Sequence, residues 1–147
     1  MRILCVCLGN ICRSPTAEAV LRAKGRDRIT VDSAGTGGWH IGDAPHRSAI
    51  AVGKARGYDL SPLRARAFAA RDFEDFDLIL AMDRRNLADI EAMRPPGNGT
   101  PVQLLLDFAP DTGATEVPDP YYTGDFDGAL DLIEAAADRL LALSIIR

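Results

Sequence analysis

Cysteine, histidine and tryptophan are scarce in this chain, and it has no long apolar run. Its 147 residues include three cysteines, two histidines and one tryptophan. Cys5, Cys7 and Cys12 are an odd number crowded into one short segment, which makes a poor disulfide framework for a secreted domain and suits a reducing compartment. Together with His40 or His46 they match no recognised metal-ligand spacing, so we expect neither a metal nor another cofactor.

The apolar run near the N-terminus and the charge balance exclude two further classes of partner. Ile3–Leu8 is stopped by Gly9 and Asn10, so it is too short for a secretion signal or a membrane span. The net charge of −4 comes without the basic stripe that nucleic-acid binders carry. We therefore expect a cytoplasmic protein that binds neither nucleic acid nor membrane, folded as a single domain over residues 1–147.

One short segment combines a thiol, five intervening residues and a guanidinium. It reads Cys7-Leu8-Gly9-Asn10-Ile11-Cys12-Arg13-Ser14-Pro15 and lies between an apolar strand and a predicted helix. A loop there turns its backbone N–H groups towards a bound anion, and the helix N-terminus adds partial positive charge. The predicted phosphate-binding residues are Leu8, Gly9, Asn10, Ile11, Cys12, Arg13 and Ser14. The same field stabilises a thiolate at Cys7, and Arg13 offers two parallel hydrogen bonds to phosphate oxygens.

A phosphate-transfer site also needs an acid that protonates the departing oxygen. The best candidate is Asp119, whose backbone is restricted by Pro118 and Pro120 on either side. Cys7, Arg13 and Asp119 are therefore the predicted catalytic residues.

The hydrophobic pattern alternates strands with helices. Predicted strands are Ile3–Val6, Ile29–Ser33, Asp77–Met82 and a weaker, edge strand Val102–Leu105. The first predicted helix is capped by Ser14, has Pro15 at its first position and closes at Gly25. The second is Pro45–Arg56, and the third is capped by Asp83 and ended by Pro95. The fourth is Asp125–Leu143. This order predicts a doubly wound α/β sheet, in which ligands bind at the carboxyl ends of the strands.

The segment Val6–Pro15 is similar, without a gap, to the phosphate loop of the low-molecular-weight protein tyrosine phosphatases. Further blocks agree in order: Ala17–Ala19, Asp32–Thr36, Trp39–Gly42, Arg64–Arg66, Asp77–Asp83 with Asn86, and Asp119–Tyr121. The resemblance thus spans nearly the whole chain. It implies a four-stranded parallel sheet flanked by helices on both faces, in the flavodoxin-like topology.

The resemblance also implies roles for individual residues. Cys7 becomes a phosphocysteine intermediate, Arg13 clamps the phosphoryl group, and Ser14 hydrogen-bonds the thiolate. Asp119 donates a proton in the first step and accepts one from water in the second. Asn10 holds the shape of the loop.

Further residues are expected around this centre. Ser33 supports Asn10, and the phenyl ring of phosphotyrosine lies in a slot walled by Trp39, Tyr121 and Tyr122. Cys12 is either a small buried filler or a redox partner that forms a protective disulfide with Cys7.

Two positions depart from the family pattern. Leu63 stands where the family often has a histidine before its Arg-Ala-Arg block, and Ala67 stands in place of a glutamine. Because the family histidine supports the loop asparagine, we expect the support around Asn10 to be thinner or rebuilt.

Three other functions compete with tyrosine phosphatase activity. Arsenate reductases share the loop but use further cysteines downstream, and this chain has none after Cys12. Protein-arginine phosphatases of the same family resemble the loop with a threonine where Ile11 stands. A non-catalytic anion-binding module needs neither Cys7 nor Asp119.

The resemblance implies a phosphotyrosine protein as substrate, with a bacterial tyrosine kinase as one candidate. It also implies either a monomer or a weak homodimer formed through the aromatic face near Tyr121 and Tyr122.

Overall fold

A single parallel sheet organises the fold of residues 1–143, which are the residues that the computed structural model describes. Its strands are β1 (Arg2–Cys7), β2 (Thr30–Gly35), β3 (Leu78–Ala81) and β4 (Val102–Leu104). They lie in the order β2-β1-β3-β4, and every neighbouring pair is parallel. The predicted doubly wound, four-stranded sheet is confirmed. Residues 144–147 of the predicted domain lie outside the described residues.

Within residues 1–143, six α-helices lie between and after the strands. They are α1 (Arg13–Gly25), α2 (Arg47–Ala55), α3 (Asp72–Asp75), α4 (Arg84–Glu91), α5 (Pro120–Thr123) and α6 (Phe126–Leu141). Short 3-10 turns are at Arg26–Arg28, Leu105–Phe108 and Pro110–Thr112. The predicted helix at Pro45 begins at Arg47, because the His46 side chain accepts a hydrogen bond from the Ser48 N–H and caps it.

Both faces of the sheet are buried, because side chains of β1 alternate between two apolar clusters. Ile3, Cys5 and Cys7 lie in a cluster with residues of α1, α2 and α6. Leu4 and Val6 lie in the other, with residues of α4 and of the segment around α3. Helices therefore flank the sheet on both sides, as predicted. No helix within residues 1–143 combines the length and the apolar composition needed to cross a bilayer.

The N-terminus of α1 differs from the prediction. The helix begins at Arg13 with Cys12 as its N-cap residue, and no side chain caps it. Ser14 is therefore inside the helix, and the prediction that it is the cap was wrong. Its hydroxyl turns towards the preceding loop and contacts Cys7 Sγ and the Asn10 amide. The Ser14 hydroxyl therefore forms hydrogen bonds with the loop and does not cap the helix.

Candidate active site

The loop between β1 and α1 is held from outside by its carbonyl groups. Cys7 C=O accepts from Thr36 N–H at 2.9 Å, Leu8 C=O from Gly37 N–H at 2.8 Å, and Ile11 C=O from His46 N–H at 2.7 Å. Within residues 1–143, no protein group accepts a hydrogen bond from the N–H groups of Gly9, Ile11 or Cys12. These amides, next to a helix N-terminus, are free to bind an anion. Their placement agrees with the predicted phosphate loop.

The Cys7 thiol is at the centre of this loop and is almost fully buried. The Asn10 N–H donates to Sγ at 3.2 Å, and the Ser14 hydroxyl lies 3.0 Å from Sγ. Hydrogen bonds from such donors stabilise a thiolate more than a neutral thiol. The loop therefore places two hydrogen-bonding groups at the sulfur of Cys7.

Asn10 fixes the curvature of the loop. Its φ of 56° is left-handed, a conformation that asparagine tolerates better than most residues. Its side-chain NH2 donates to Ser14 Oγ at 2.8 Å and to Ser33 Oγ at 3.0 Å, and its Oδ1 accepts from the Arg66 N–H at 3.0 Å. All side-chain groups of this buried amide are thus occupied. Leu63 takes no part and packs against the apolar cluster instead, so the support is rebuilt around main chain and hydroxyl groups.

Arg13 is buried and held by groups from two later segments of the chain. Its Nη1 donates to Asp83 Oδ2 at 2.7 Å and to the Val117 carbonyl at 2.9 Å, and Nη2 lies 3.4 Å from Asp119 Oδ2. Burial alone lowers the pKa of Arg13, but the surrounding anionic groups outweigh it and raise the pKa. The guanidinium is therefore permanently charged and fixed in direction.

Asp119 reaches the site from the far end of the chain. It caps α5, where its Oδ1 accepts a hydrogen bond from the Tyr121 N–H at 3.0 Å. The segment before it is tied to β3, since the Val117 N–H donates to the Met82 carbonyl at 2.9 Å. The second carboxylate oxygen is left for Arg13 and for a ligand in the cavity.

These residues line one cavity of about 190 Å³. Its wall is formed by Cys7, Leu8, Gly9, Ile11, Cys12, Arg13, Trp39, His40, Asp119, Tyr121 and Tyr122. Trp39 is 74% exposed and Tyr122 is 76% exposed, while the floor is buried. The structure thus brings all three predicted catalytic residues and all three predicted slot residues to one cavity, with a charged floor and an aromatic rim.

The other cysteines and the histidines do not form a metal site. Nowhere in residues 1–143 are three or more potential histidine, cysteine or carboxylate ligands grouped for a metal ion. Cys12 lines the cavity as a free thiol, and burial raises its pKa to about 12. Cys5 lies fully buried in the core, where burial again raises its thiol pKa.

Sequence reasoning missed several residues of the site. Asp83 was expected only as a helix cap, but its second oxygen also accepts a hydrogen bond from Arg13. Its position directly after a buried strand could have indicated a place in the site, because ligands bind at the carboxyl ends of parallel strands. Gly35 was not assigned a role, yet a Cβ there would lie 2.8 Å from the Leu8 carbonyl oxygen and 3.2 Å from Asn10 Cβ. His40 was assigned no role in this site, yet it lies against Gly9 at the cavity rim.

Comparison with known proteins agrees with this geometry. A family model described as low molecular weight phosphotyrosine protein phosphatase matches residues 2–145. The chain belongs to this phosphatase family. YfkJ of Bacillus subtilis, a low molecular weight protein-tyrosine-phosphatase, is 43% identical over 145 residues, which are 95% of this chain and 93% of YfkJ. The crystal structure of YfkJ superposes with a TM-score of 0.91 at 41% identity and covers 97% of this chain and 92% of that one.

Two more members of the phosphatase family show its range. The protein-tyrosine-phosphatase PtpA of Staphylococcus aureus is 39% identical over 140 residues, or 92% of this chain and 88% of PtpA. The crystal structure of a Drosophila arginine phosphatase has a TM-score of 0.89 and 34% identity, with 96% of each chain covered. Proteins named as a tyrosine phosphatase and as an arginine phosphatase are thus both similar in structure to this chain.

Proposed function

We propose that this protein hydrolyses phosphotyrosine in proteins through a phosphocysteine intermediate. The observation that carries the proposal is the meeting of Cys7, Arg13 and Asp119 in one cavity whose floor is a loop of unpartnered amides. A phosphoryl group bound there places phosphorus above Cys7 Sγ with three oxygens facing the loop and Arg13. Family membership makes a phosphatase the first function to test.

In the first step, Cys7 Sγ attacks phosphorus in line with the leaving oxygen. The S–P bond forms as the P–O bond to the tyrosyl oxygen breaks, and Asp119 gives its proton to that oxygen. Arg13 and the loop amides stabilise the charge on the three non-bridging oxygens.

In the second step, Asp119 reverses its role. Now a carboxylate, it accepts a proton from a water molecule that attacks phosphorus, while the S–P bond breaks and the Cys7 thiolate leaves. The Ser14 hydroxyl, 3.0 Å from Sγ, hydrogen-bonds that thiolate as it departs. The products are inorganic phosphate and the free enzyme.

The aromatic rim supports phosphotyrosine as the substrate. Trp39, Tyr121 and Tyr122 border the cavity above its charged floor, with the two tyrosine rings 5.2 Å apart. A phenyl ring that enters the cavity along this rim keeps apolar contact with it while its phosphate reaches the loop. A phosphoserine side chain is too short to do both.

Phosphoarginine is the second candidate substrate, since a Drosophila arginine phosphatase shares the fold over 96% of its chain. The apolar side chain of Ile11 lines the cavity. Protein-arginine phosphatases with a similar loop have a threonine at this position. Ile11 presents no hydroxyl to a guanidinium, and it therefore favours the phenyl ring of phosphotyrosine.

Oxidation of Cys7 suggests a role for Cys12. Both are free thiols that line the same cavity. A sulfenic acid formed at Cys7 by a peroxide is attacked by the Cys12 sulfur with loss of water, which gives a disulfide that a reducing thiol reopens. This protective disulfide is part of the proposal.

We further propose a cytoplasmic location and a monomer or weak homodimer. A bacterial tyrosine kinase is one candidate phosphoprotein substrate.

The test is phosphate release from a phosphotyrosine peptide, p-nitrophenyl phosphate and phosphoarginine, each with excess chelator. We expect turnover of the tyrosine substrates, none by Cys7→Ser, and retention of phosphate binding by that variant. Cys5→Ser, which changes a thiol on the same strand outside the cavity, is the matched control and keeps activity. Turnover of phosphoarginine alone would move the protein to the second candidate, and turnover by Cys7→Ser would exclude the covalent route.

A further inference from the structure

Glu18 is a buried carboxylate that the proposed reaction does not use. It lies in α1 with its side chain only 4% exposed. Its Oε1 accepts from the Ser33 hydroxyl at 2.7 Å, and its Oε2 accepts from Arg22 Nη2 at 2.6 Å. Burial raises the pKa of Glu18, and the hydrogen bonds from Ser33 and Arg22 oppose that rise. A charge in such a place costs free energy, so its contacts are worth tracing.

The contacts of Glu18 continue to the nucleophile. Ser33 Oγ accepts from the Asn10 side-chain NH2 at 3.0 Å, and the same NH2 donates to Ser14 Oγ at 2.8 Å. Ser14 Oγ in turn lies 3.0 Å from Cys7 Sγ. Every member of this chain of hydrogen bonds is buried. It leads from one acidic side chain to the sulfur that attacks phosphorus.

The direction of each hydrogen bond follows from the carboxylate. An ionised carboxylate only accepts, so the Ser33 proton points to Glu18 and the Ser33 lone pairs face Asn10. The Asn10 NH2 then faces both hydroxyls, which is consistent with its Oδ1 facing the Arg66 N–H. Ser14 Oγ receives a hydrogen bond from Asn10, and its own proton is free for Cys7 Sγ at 3.0 Å, since its alternative acceptor, the Ala34 carbonyl, lies at 3.5 Å.

We propose that Glu18 is a positioning residue that sets the polarity of this hydrogen-bond chain and so makes Ser14 a donor to the Cys7 thiolate. This inference rests on the proposed function of Cys7 as nucleophile. Arg22 completes the unit: it holds the outer carboxylate oxygen and also donates to the Val31 carbonyl at 2.8 Å, which ties α1 to β2. The pair acts on the sulfur only through Ser33, Asn10 and Ser14.

Glu18→Gln tests polarity without changing size. With Arg22 present, the glutamine turns its Oε1 to the guanidinium and its NH2 to Ser33 Oγ, because two donors do not face each other. Ser33 then loses the acceptor for its own proton, which has to turn towards the Asn10 NH2. Because these two donors repel each other, the Asn10 side chain is displaced from Ser33, and the hydrogen bond that orients Ser14 Oγ towards Cys7 Sγ is weakened. Adding Arg22→Met removes the competing donor, and the glutamine Oε1 is free to accept from Ser33 again. The double variant therefore restores the original polarity.

Two readouts are measured on each variant. The first is kcat/KM on phosphotyrosine peptide, and the second is the alkylation rate of Cys7 by iodoacetamide at pH 6, followed by mass spectrometry of its peptide. Losing one hydrogen bond to a thiolate corresponds to a fall on the order of tenfold in both. We expect that fall in Glu18→Gln, and most of it regained in Glu18→Gln with Arg22→Met.

Glu91→Gln is the matched control, because Glu91 also pairs with an arginine of the next turn, Arg94, but lies outside the cavity. It keeps both rates. If folded Glu18→Gln keeps both rates, or if the double variant falls further, the proposal is overturned. If Glu18→Gln does not fold, Ser33→Ala breaks the same link, and unchanged Cys7 alkylation in that variant overturns the proposal equally. Alkylation needs no phosphatase activity, so it separates failure of this inference from failure of the proposed function.

Discussion

Arg13 Nη1 lies 2.7 Å from Asp83 Oδ2, and this ion pair joins the start of α1 to the end of β3. Asp83 also accepts the Asn86 N–H through its other oxygen, at 2.7 Å. One carboxylate thus caps a helix and aims the guanidinium at the cavity. The other nitrogen of the Arg13 fork, Nη2, is left for phosphate oxygens and for Asp119.

Asp83→Asn separates these two tasks. The amide oxygen keeps the helix cap, but the charge that holds Arg13 is lost. We expect kcat/KM on phosphotyrosine to fall on the order of tenfold or more, with a weaker affinity for inorganic phosphate. Asp77→Asn, at the opposite end of β3 and paired with Arg2, is the control and keeps activity. Unchanged phosphate affinity in Asp83→Asn would contradict the clamp.

Asp119→Asn removes the general acid and leaves the amide oxygen to cap α5. The tyrosyl oxygen is a poor leaving group with a conjugate-acid pKa of about 10, so the variant loses about 10²-fold or more in kcat on phosphotyrosine. p-Nitrophenolate leaves without a proton, so its loss is smaller. Asp125→Asn, which removes the capping carboxylate of α6 outside the cavity, is the control. An equal loss on both substrates would argue against proton donation by Asp119.

Gly35→Ala introduces a methyl group where β2 passes under the loop. Its Cβ would lie 2.8 Å from the Leu8 carbonyl oxygen, so the loop must shift by several tenths of an ångström. Because the phosphate amides belong to this loop, we expect kcat/KM to fall about tenfold or more. Gly99→Ala faces open space and serves as the control. Normal turnover by Gly35→Ala would mean that the loop tolerates displacement.

Cys12 provides the pH-dependent prediction. Its folded pKa of about 12 lies above the usual value of 9.0, because burial disfavours the thiolate. Between these two values the folded state binds more protons than the unfolded state, so this stabilising contribution is complete below pH 9 and is lost as the pH rises towards 12. The loss of unfolding free energy over that range should be smaller in Cys12→Ala. Urea titrations from pH 8 to 11 measure it, and parallel curves for both proteins would contradict the shift.

Glu18 provides a second pH-dependent prediction, this time at acid pH. Its pKa is raised by burial, so the folded state binds more protons above the usual value of 4.5 and the contribution of Glu18 to stability falls as the pH rises through that window. Glu18→Gln has no such proton. The stability of the wild type relative to this variant should therefore decrease as the pH rises from 4.5 through the raised pKa of Glu18, and a constant difference would exclude a raised pKa.

Local patterns accounted for much of the fold. The apolar runs in β1 and β3 predicted buried strands, and the Asp83 cap and the Gly25 end of α1 were also correct. Ser14 was misread, since serine before proline is typical of a helix cap, and no local pattern shows that a neighbouring thiol will use its hydroxyl. With Leu63 in place of a histidine, the support of Asn10 was expected to be thinner or rebuilt. The Arg66 main chain supplies one hydrogen bond to Asn10, beside the one to the predicted partner Ser33.

The sequence by itself determined the phosphate loop, because Cys7, its five following residues and Arg13 are contiguous and the turn between strand and helix is local. Only the tertiary structure decided what surrounds it. Parallel crossovers bring the carboxyl ends of β1 and β3 to one edge of the sheet, so Asp83 and Asp119 meet Arg13 across 70 and 106 residues of chain. Glu18 became visible in the same way, because a buried carboxylate is recognised by its partners in space and not by its neighbours in sequence.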